Sequence, residues 1–233
     1  MVETLQFIDE LIKFQKFVFQ QLNTNNIVDF SNSLNSKQGK KSNIAAKIQD
    51  DVMNSSEFNL LSSHIGWKKL AAKKMGTKVE DIEIVFPHFR LDLPIKFSKD
   101  HQKMSLPWHQ EAAYYLRKGN CSPKSIVMST YLHDCNQKNG AIAIGIDNNS
   151  DLINHDEKYI DNLNKRFFRV SCEEPREYQI IETILGQTII FDFLTPHRSG
   201  INNSQNTRLT FLLRASSKID VEHWEKENNL INQ

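Results

Sequence analysis

His109 and Glu111 stand one residue apart in LPWHQEAAYY, and His197 follows near the end of GQTIIFDFLTPHRSG. Two imidazoles and one carboxylate can occupy one face of an octahedral Fe(II), leaving positions open for a cosubstrate and for dioxygen. Arg208, eleven positions after His197, opens RLTFLLRA and offers a planar cation suited to a carboxylate. Taken singly these residues have ordinary readings: an H-x-E pair on an edge strand, a loop histidine, a surface arginine. The ordered set H-x-E, then H, then R, each next to a strand-like run, is far more specific. If the first segment is extended, the H-x-E spacing puts both side chains on one face.

Four stretches between FRLDLP (89–94) and LLRA (212–215), more than half of the chain, resemble the phytanoyl-CoA dioxygenase family of Fe(II)/2-oxoglutarate-dependent oxygenases. RLDLP leads into LPWHQE, similar to the family's W-H-Q-D segment, and NQKNGAIAI resembles the turn and strand that follow it. GQTIIFDFLTPHRSGINNSQNTR resembles the stretch carrying the distal His, an H-x-S step and an Arg. The resemblance implies that His109, Glu111 and His197 hold Fe(II). It also implies that Arg208, assisted by Ser199, grips the distal carboxylate of 2-oxoglutarate. Thr130 falls where relatives often place another cosubstrate contact. Trp108, Tyr114 and Tyr115 flank the pair and are expected to shape a substrate pocket, although the tyrosines suit a core equally well. The implied reaction hydroxylates a small molecule with O2, forming succinate and CO2.

The chain departs from that family in one respect: Glu111 stands where Asp is usual. Glutamate is also a hard oxygen ligand, but its extra methylene moves the carboxylate by about a bond length. The segment must sit farther from the metal, or the side chain must bend back. A jelly-roll protein that binds a small ligand without turnover, or holds another metal, is the alternative reading.

The positioning elements are mainly β. Helical spacing of Ile8, Leu11, Ile12, Val18, Phe19 and Leu22 predicts a helix over 4–22, and 31–43 read as a polar loop. A second helix is expected from Ser55 to Met75, capped by Ser55 or Ser56 and stopped at Gly76. Strand character begins at 81 and recurs in 124–132, 140–146, RFFRVSC, YQIIETI, QTIIFDF and RLTFLLR, while 147–165 read as an irregular surface insertion. Ile126, Met128 and Thr130 share one face of their strand, and Arg208 shares a mixed face with Thr210 and Leu212. Short strands without β-α alternation predict a double-stranded β-helix, the cupin-like jelly roll, whose strand ends surround a pocket mouth. One domain is expected over 1–233: a helical region at 1–80, the jelly-roll core at 81–216 and a C-terminal tail at 217–233.

The 29 basic and 28 acidic residues nearly balance, so no electrostatic footprint favours nucleic acid or an anionic membrane. The three cysteines, Cys121, Cys135 and Cys172, lack C-x-x-C spacing, which argues against a disulfide framework or zinc ribbon. Glu3, Asp9 and Glu10 interrupt the N-terminal apolar residues, unlike a secretory signal, and no apolar run reaches membrane-spanning length. A cytoplasmic protein with a small-molecule substrate is expected. No G-x-S-x-G elbow, P-loop or dinucleotide fingerprint is present.

Overall fold

Alternation in RLTFLLRA builds the strand on which the rest of the molecule is organised. Leu209, Phe211, Leu213 and Ala215 are fully buried on one face, and Arg208, Thr210, Leu212 and Arg214 occupy the other. The structure, a computed structural model, describes residues 2–37, 44–97, 106–146, 151–162 and 165–228. Its main sheet is antiparallel, in the order β1 (Val2–Thr4), β8 (Gln187–Asp192), β3 (Ile126–Tyr131), β10 (Arg208–Ser217) and β2 (Ile82–Asp92).

The apolar face of this sheet packs under helices α1 (Ile8–Gln20), α2 (Ile27–Lys37), α3 (Ile44–Met53), α4 (Ser56–Ser62) and α5 (Ile65–Met75). Phe211 is the meeting point: its ring lies 5.5 Å from Phe14, 5.6 Å from Phe58 and 5.8 Å from Trp67. Burying such a side chain contributes roughly 1.5–3 kcal/mol, and each ring pair about 0.5–1.5 kcal/mol more.

The opposite face meets a second sheet, β7 (Tyr178–Ile180), β4 (Ala143–Gly145) and β9 (His197–Arg198). Val127, Tyr131, Ile142, Ile144, Ile189 and Phe191 fill the space between the sheets. This is the jelly roll expected from the sequence. A hairpin of β5 (Asp156–Asn162) and β6 (Lys165–Ser171), a one-turn helix α6 (Glu111–Tyr115) and helix α7 (Lys218–Glu227) complete the described strands and α-helices. Among the described residues no helix is long and apolar enough to cross a membrane.

Local elements differ from the sequence expectations in several places. The helix expected over 55–75 is two helices, because Ser63 ends α4 and His64 caps α5, its Nδ1 accepting from Gly66 N–H at 3.1 Å. Ser55 caps α4 by accepting from Phe58 N–H. Residues 31–37 are helical rather than a loop, since Phe30 and Leu34 are buried at helical spacing; 38–43 lie outside the described residues. At the N-terminus, Val2–Thr4 pairs with β8 before α1 begins. Within 147–165, residues 156–162 form β5.

Candidate metal centre

His109 and His197 are brought together by backbone hydrogen bonds. The N–H of each donates to the carbonyl of the other, at 3.0 and 2.9 Å, as an isolated antiparallel bridge. Residues opposed in this way project their side chains to the same side, so the two rings stand 4.2 Å apart. His197 is also tied to the second sheet by pairing with Ile144. Glu111 follows in helical rather than extended backbone, as the first residue of α6, so the single extended H-x-E segment is replaced by a bridge and a turn.

Gln110 fixes that turn. Its buried amide donates to the carbonyls of Leu194 and Asp151 and accepts from Ile153 N–H, at 2.5, 2.9 and 2.9 Å. The turn brings Glu111 Oε2 to 3.6 Å from His109 Nε2 and 3.4 Å from His197 Nε2. One ligand atom from each residue lies within 4.8 Å of the others, and all three side chains are buried. Metal bonds of about 2.1 Å at right angles would place neighbouring donors about 3 Å apart, so small movements seat a cation.

Hydrogen bonds select the coordinating nitrogen. His109 Nδ1 lies 2.7 Å from Pro107 O, and His197 Nδ1 2.9 Å from Thr195 O. Each Nδ1 carries the proton for its carbonyl, which leaves each Nε2 with a lone pair toward Glu111. Burial, then the neighbouring His197, pushes His109 down to about 4, so its ring is neutral at physiological pH. Its buried Nε2 has no hydrogen-bond partner, an orphan that a metal ion would satisfy. Burial alone would raise the Glu111 carboxyl, but the Arg214 guanidinium holds it well below the usual range.

Three arginines line the same cavity as the triad. Arg214 donates to Glu111 Oε1. Arg208 donates to Asp92 Oδ2 at 2.9 Å, to Gly200 O at 2.9 Å and to Gly140 O. A Cβ at Gly140 would collide with that guanidinium, and its φ of +91° also favours glycine. Arg90 donates to Asp92 Oδ1 at 2.8 Å and reaches Ser199 Oγ at 3.5 Å. Burial opposes ionisation of Asp92, but the two arginines keep its carboxyl far below the usual range. Both guanidiniums thus engage this one carboxylate, and buried Arg208 Nε has no hydrogen-bond partner.

Ser199 and Arg208 therefore lie on the cavity with the three triad residues, whereas Thr130 does not. Thr130 Oγ1 donates to Thr188 Oγ1 at 2.8 Å on the sheet face packed against the helices. Strand alternation explains the difference, for it sends Val127, Ser129 and Tyr131 to the cavity and Thr130 away from it. Thr130→Val is expected to cost about 1 kcal/mol of stability through the lost hydrogen bond. Cosubstrate affinity, measured by titration, is expected to stay within twofold of native.

Trp108, Tyr114 and Tyr115 surround the triad without lining the cavity. Trp108 packs 5.2 Å from Tyr178, with Arg198 over its ring. Tyr114 sets its edge against His109 at 5.2 Å and accepts from Val170 N–H through its hydroxyl. Tyr115 lies tilted against Phe86, ring centroids 4.8 Å apart, and receives the Arg214 guanidinium on its face. Arg90, Asp92 and Arg214 were missed from the sequence. Arg214 continues the alternation of Arg208, Thr210 and Leu212, and Arg90 and Asp92 pair across from Thr210 and Arg208.

The phytanoyl-CoA dioxygenase family model matches residues 15–210. The chain belongs to the phytanoyl-CoA dioxygenase family. Its triad carries Glu111 where that family's usual residue is Asp. No curated protein sequence matches the chain. Solved structures with the same fold include the non-heme monooxygenase ThoJ, at 15% identity and TM-score 0.57 over 92% of this chain and 72% of that one. The epimerase SnoN, in complex with Fe3+, alpha ketoglutarate and nogalamycin RO, has 15% identity and TM-score 0.52 over 93% and 77%. EvdO2 from Micromonospora carbonacea var. aurantiaca, complexed with 2-oxoglutarate, has 21% identity and TM-score 0.50 over 73% of this chain. The present chain spans 64% of the EvdO2 chain. At these identities the neighbours establish the jelly-roll fold.

Proposed function

We propose that this family member is an Fe(II)/2-oxoglutarate-dependent oxygenase that hydroxylates a small molecule. The observation that carries the reading is the buried His109–Glu111–His197 set, with both Nδ1 atoms tied to carbonyls and both Nε2 atoms directed at one carboxylate oxygen. Membership in the family supports it, as do the 2-oxoglutarate complexes of the EvdO2 and SnoN structures. When bound, iron with 2-oxoglutarate and O2 supplies the oxidising chemistry, with succinate and CO2 as co-products.

The chain's own residues do the remaining work. His109, Glu111 and His197 would hold the metal, three ligands that spare coordination positions for other groups. Arg208 and Ser199 bind the distal carboxylate of the cosubstrate, with Arg90 adding charge beside Ser199. Val127, Ile142, Phe191 and Leu212 line the cavity with hydrocarbon, which restricts water and strengthens the electrostatic grip of the arginines.

Succinate release from 2-oxoglutarate under air tests this function. Release is expected to require Fe(II), to stop on chelation and to fall at least a hundredfold in His197→Ala, which removes one of three ligands. One observation favours ligand binding without turnover: Arg208 is already engaged by Asp92. Tight binding of another metal with no succinate formed would establish that alternative.

A further inference from the structure

We propose that Arg214 is a positioning residue that keeps the long carboxylate of Glu111 a one-oxygen ligand. The proposal rests on the reading of the triad as a metal centre.

The two oxygens of Glu111 have different partners. Oε1 accepts from Arg214 Nε at 2.7 Å and from Arg214 Nη2 at 2.6 Å. Oε2 faces the Nε2 atoms of both histidines. Both donors on one edge of the guanidinium converge on a single oxygen, which leaves the other for a cation. Glutamate needs such a restraint more than aspartate, because its extra torsion lets the carboxylate swing until both oxygens meet the metal. A chelating carboxylate would consume one of the positions that a bidentate cosubstrate and a third ligand require.

Arg214 is itself held on three sides. Its Nη1 donates to Phe86 O at 2.9 Å, and its Cζ sits 4.8 Å from the Tyr115 ring centroid. Phe86 has a φ of +48°, and the pairing of β10 with β2 shifts register between Leu212 and Arg214. That irregularity brings a main-chain carbonyl to the guanidinium, whose side chain is 8% exposed. The sequence couples the two features: the acid longer than usual is met by an arginine six positions along the strand that Arg208 opens.

Mn(II)-loaded protein provides a test that does not depend on turnover. Water-proton relaxation counts the exchangeable waters on the ion: about three for a one-oxygen Glu111 and about two for a chelating one. Native protein is expected to show the higher count and Arg214→Met the lower. With Glu111→Asp the shorter side chain cannot span both partners, so adding Arg214→Met there is expected to leave the count unchanged. Equal counts in native protein and Arg214→Met, both folded by near-UV circular dichroism, would overturn the proposal. If Arg214→Met does not fold, Arg214→Lys decides: lysine keeps the charge but not the planar pair of donors, and an unchanged count again overturns it. Failure of native protein to bind Mn(II) would overturn the metal-centre reading and this proposal with it, an outcome distinct from unchanged counts.

Discussion

Arg208→Gln is expected to weaken 2-oxoglutarate binding on the order of a hundredfold, about 2.7 kcal/mol. The substitution removes a charge-assisted donor from a cavity wall where hydrocarbon neighbours keep the dielectric low. Metal affinity is expected to change less than threefold, because the hydrogen bonds of Arg208 go to Asp92, Gly140 and Gly200 and not to the triad. Titration of Mn(II)-loaded protein with 2-oxoglutarate, beside titration of the apo-protein with Mn(II), separates the two effects. Unchanged cosubstrate affinity would reject the assignment and leave Arg90, beside Ser199, as the anchoring cation. A parallel loss of both affinities would indicate that the cavity had collapsed rather than lost one contact.

Much of this site was legible in the sequence because its key residues sit at the ends of strongly patterned strands. His197 follows the apolar run of β8 and Arg208 starts that of β10, so their order along the chain already implied convergence. Alternation also announced that Thr210 and Leu212 share a wall with Arg208. Thr130 was misplaced for the same physical reason the others were placed well: it has the parity of Ile126 and Met128, which face the helical core. Arg90 and Asp92 were hidden because their meaning depends on pairing register, which local pattern does not encode. Arg214 reads from sequence as one more charged residue at a strand end, and its partner is 103 positions away. The break at Ser63 and His64 escaped notice because the pattern of 55–75 continues through it, and only the caps reveal two helices.

Asp92→Asn is expected to destabilise the protein by roughly 3–5 kcal/mol at neutral pH, since it removes a buried carboxylate that pairs with two guanidiniums. The sign of the pH dependence follows from the depressed carboxyl. Asp92 contributes its stabilisation above the ordinary aspartate range, near pH 4, and loses it as pH falls below that range toward its lower folded value. The gap between native and variant in denaturant unfolding is therefore expected to be constant at neutral pH and to narrow below about pH 4. The same charge argument links this acid to the cosubstrate. In Asp92→Asn an incoming carboxylate would meet Arg90 and Arg208 without competition from Asp92, so 2-oxoglutarate should raise the melting temperature of the Mn(II)-loaded variant more than that of the native protein. Equal shifts in the two proteins would mean that the cosubstrate carboxylate binds away from this pair of arginines, and Asp92 would then be a structural counter-ion alone.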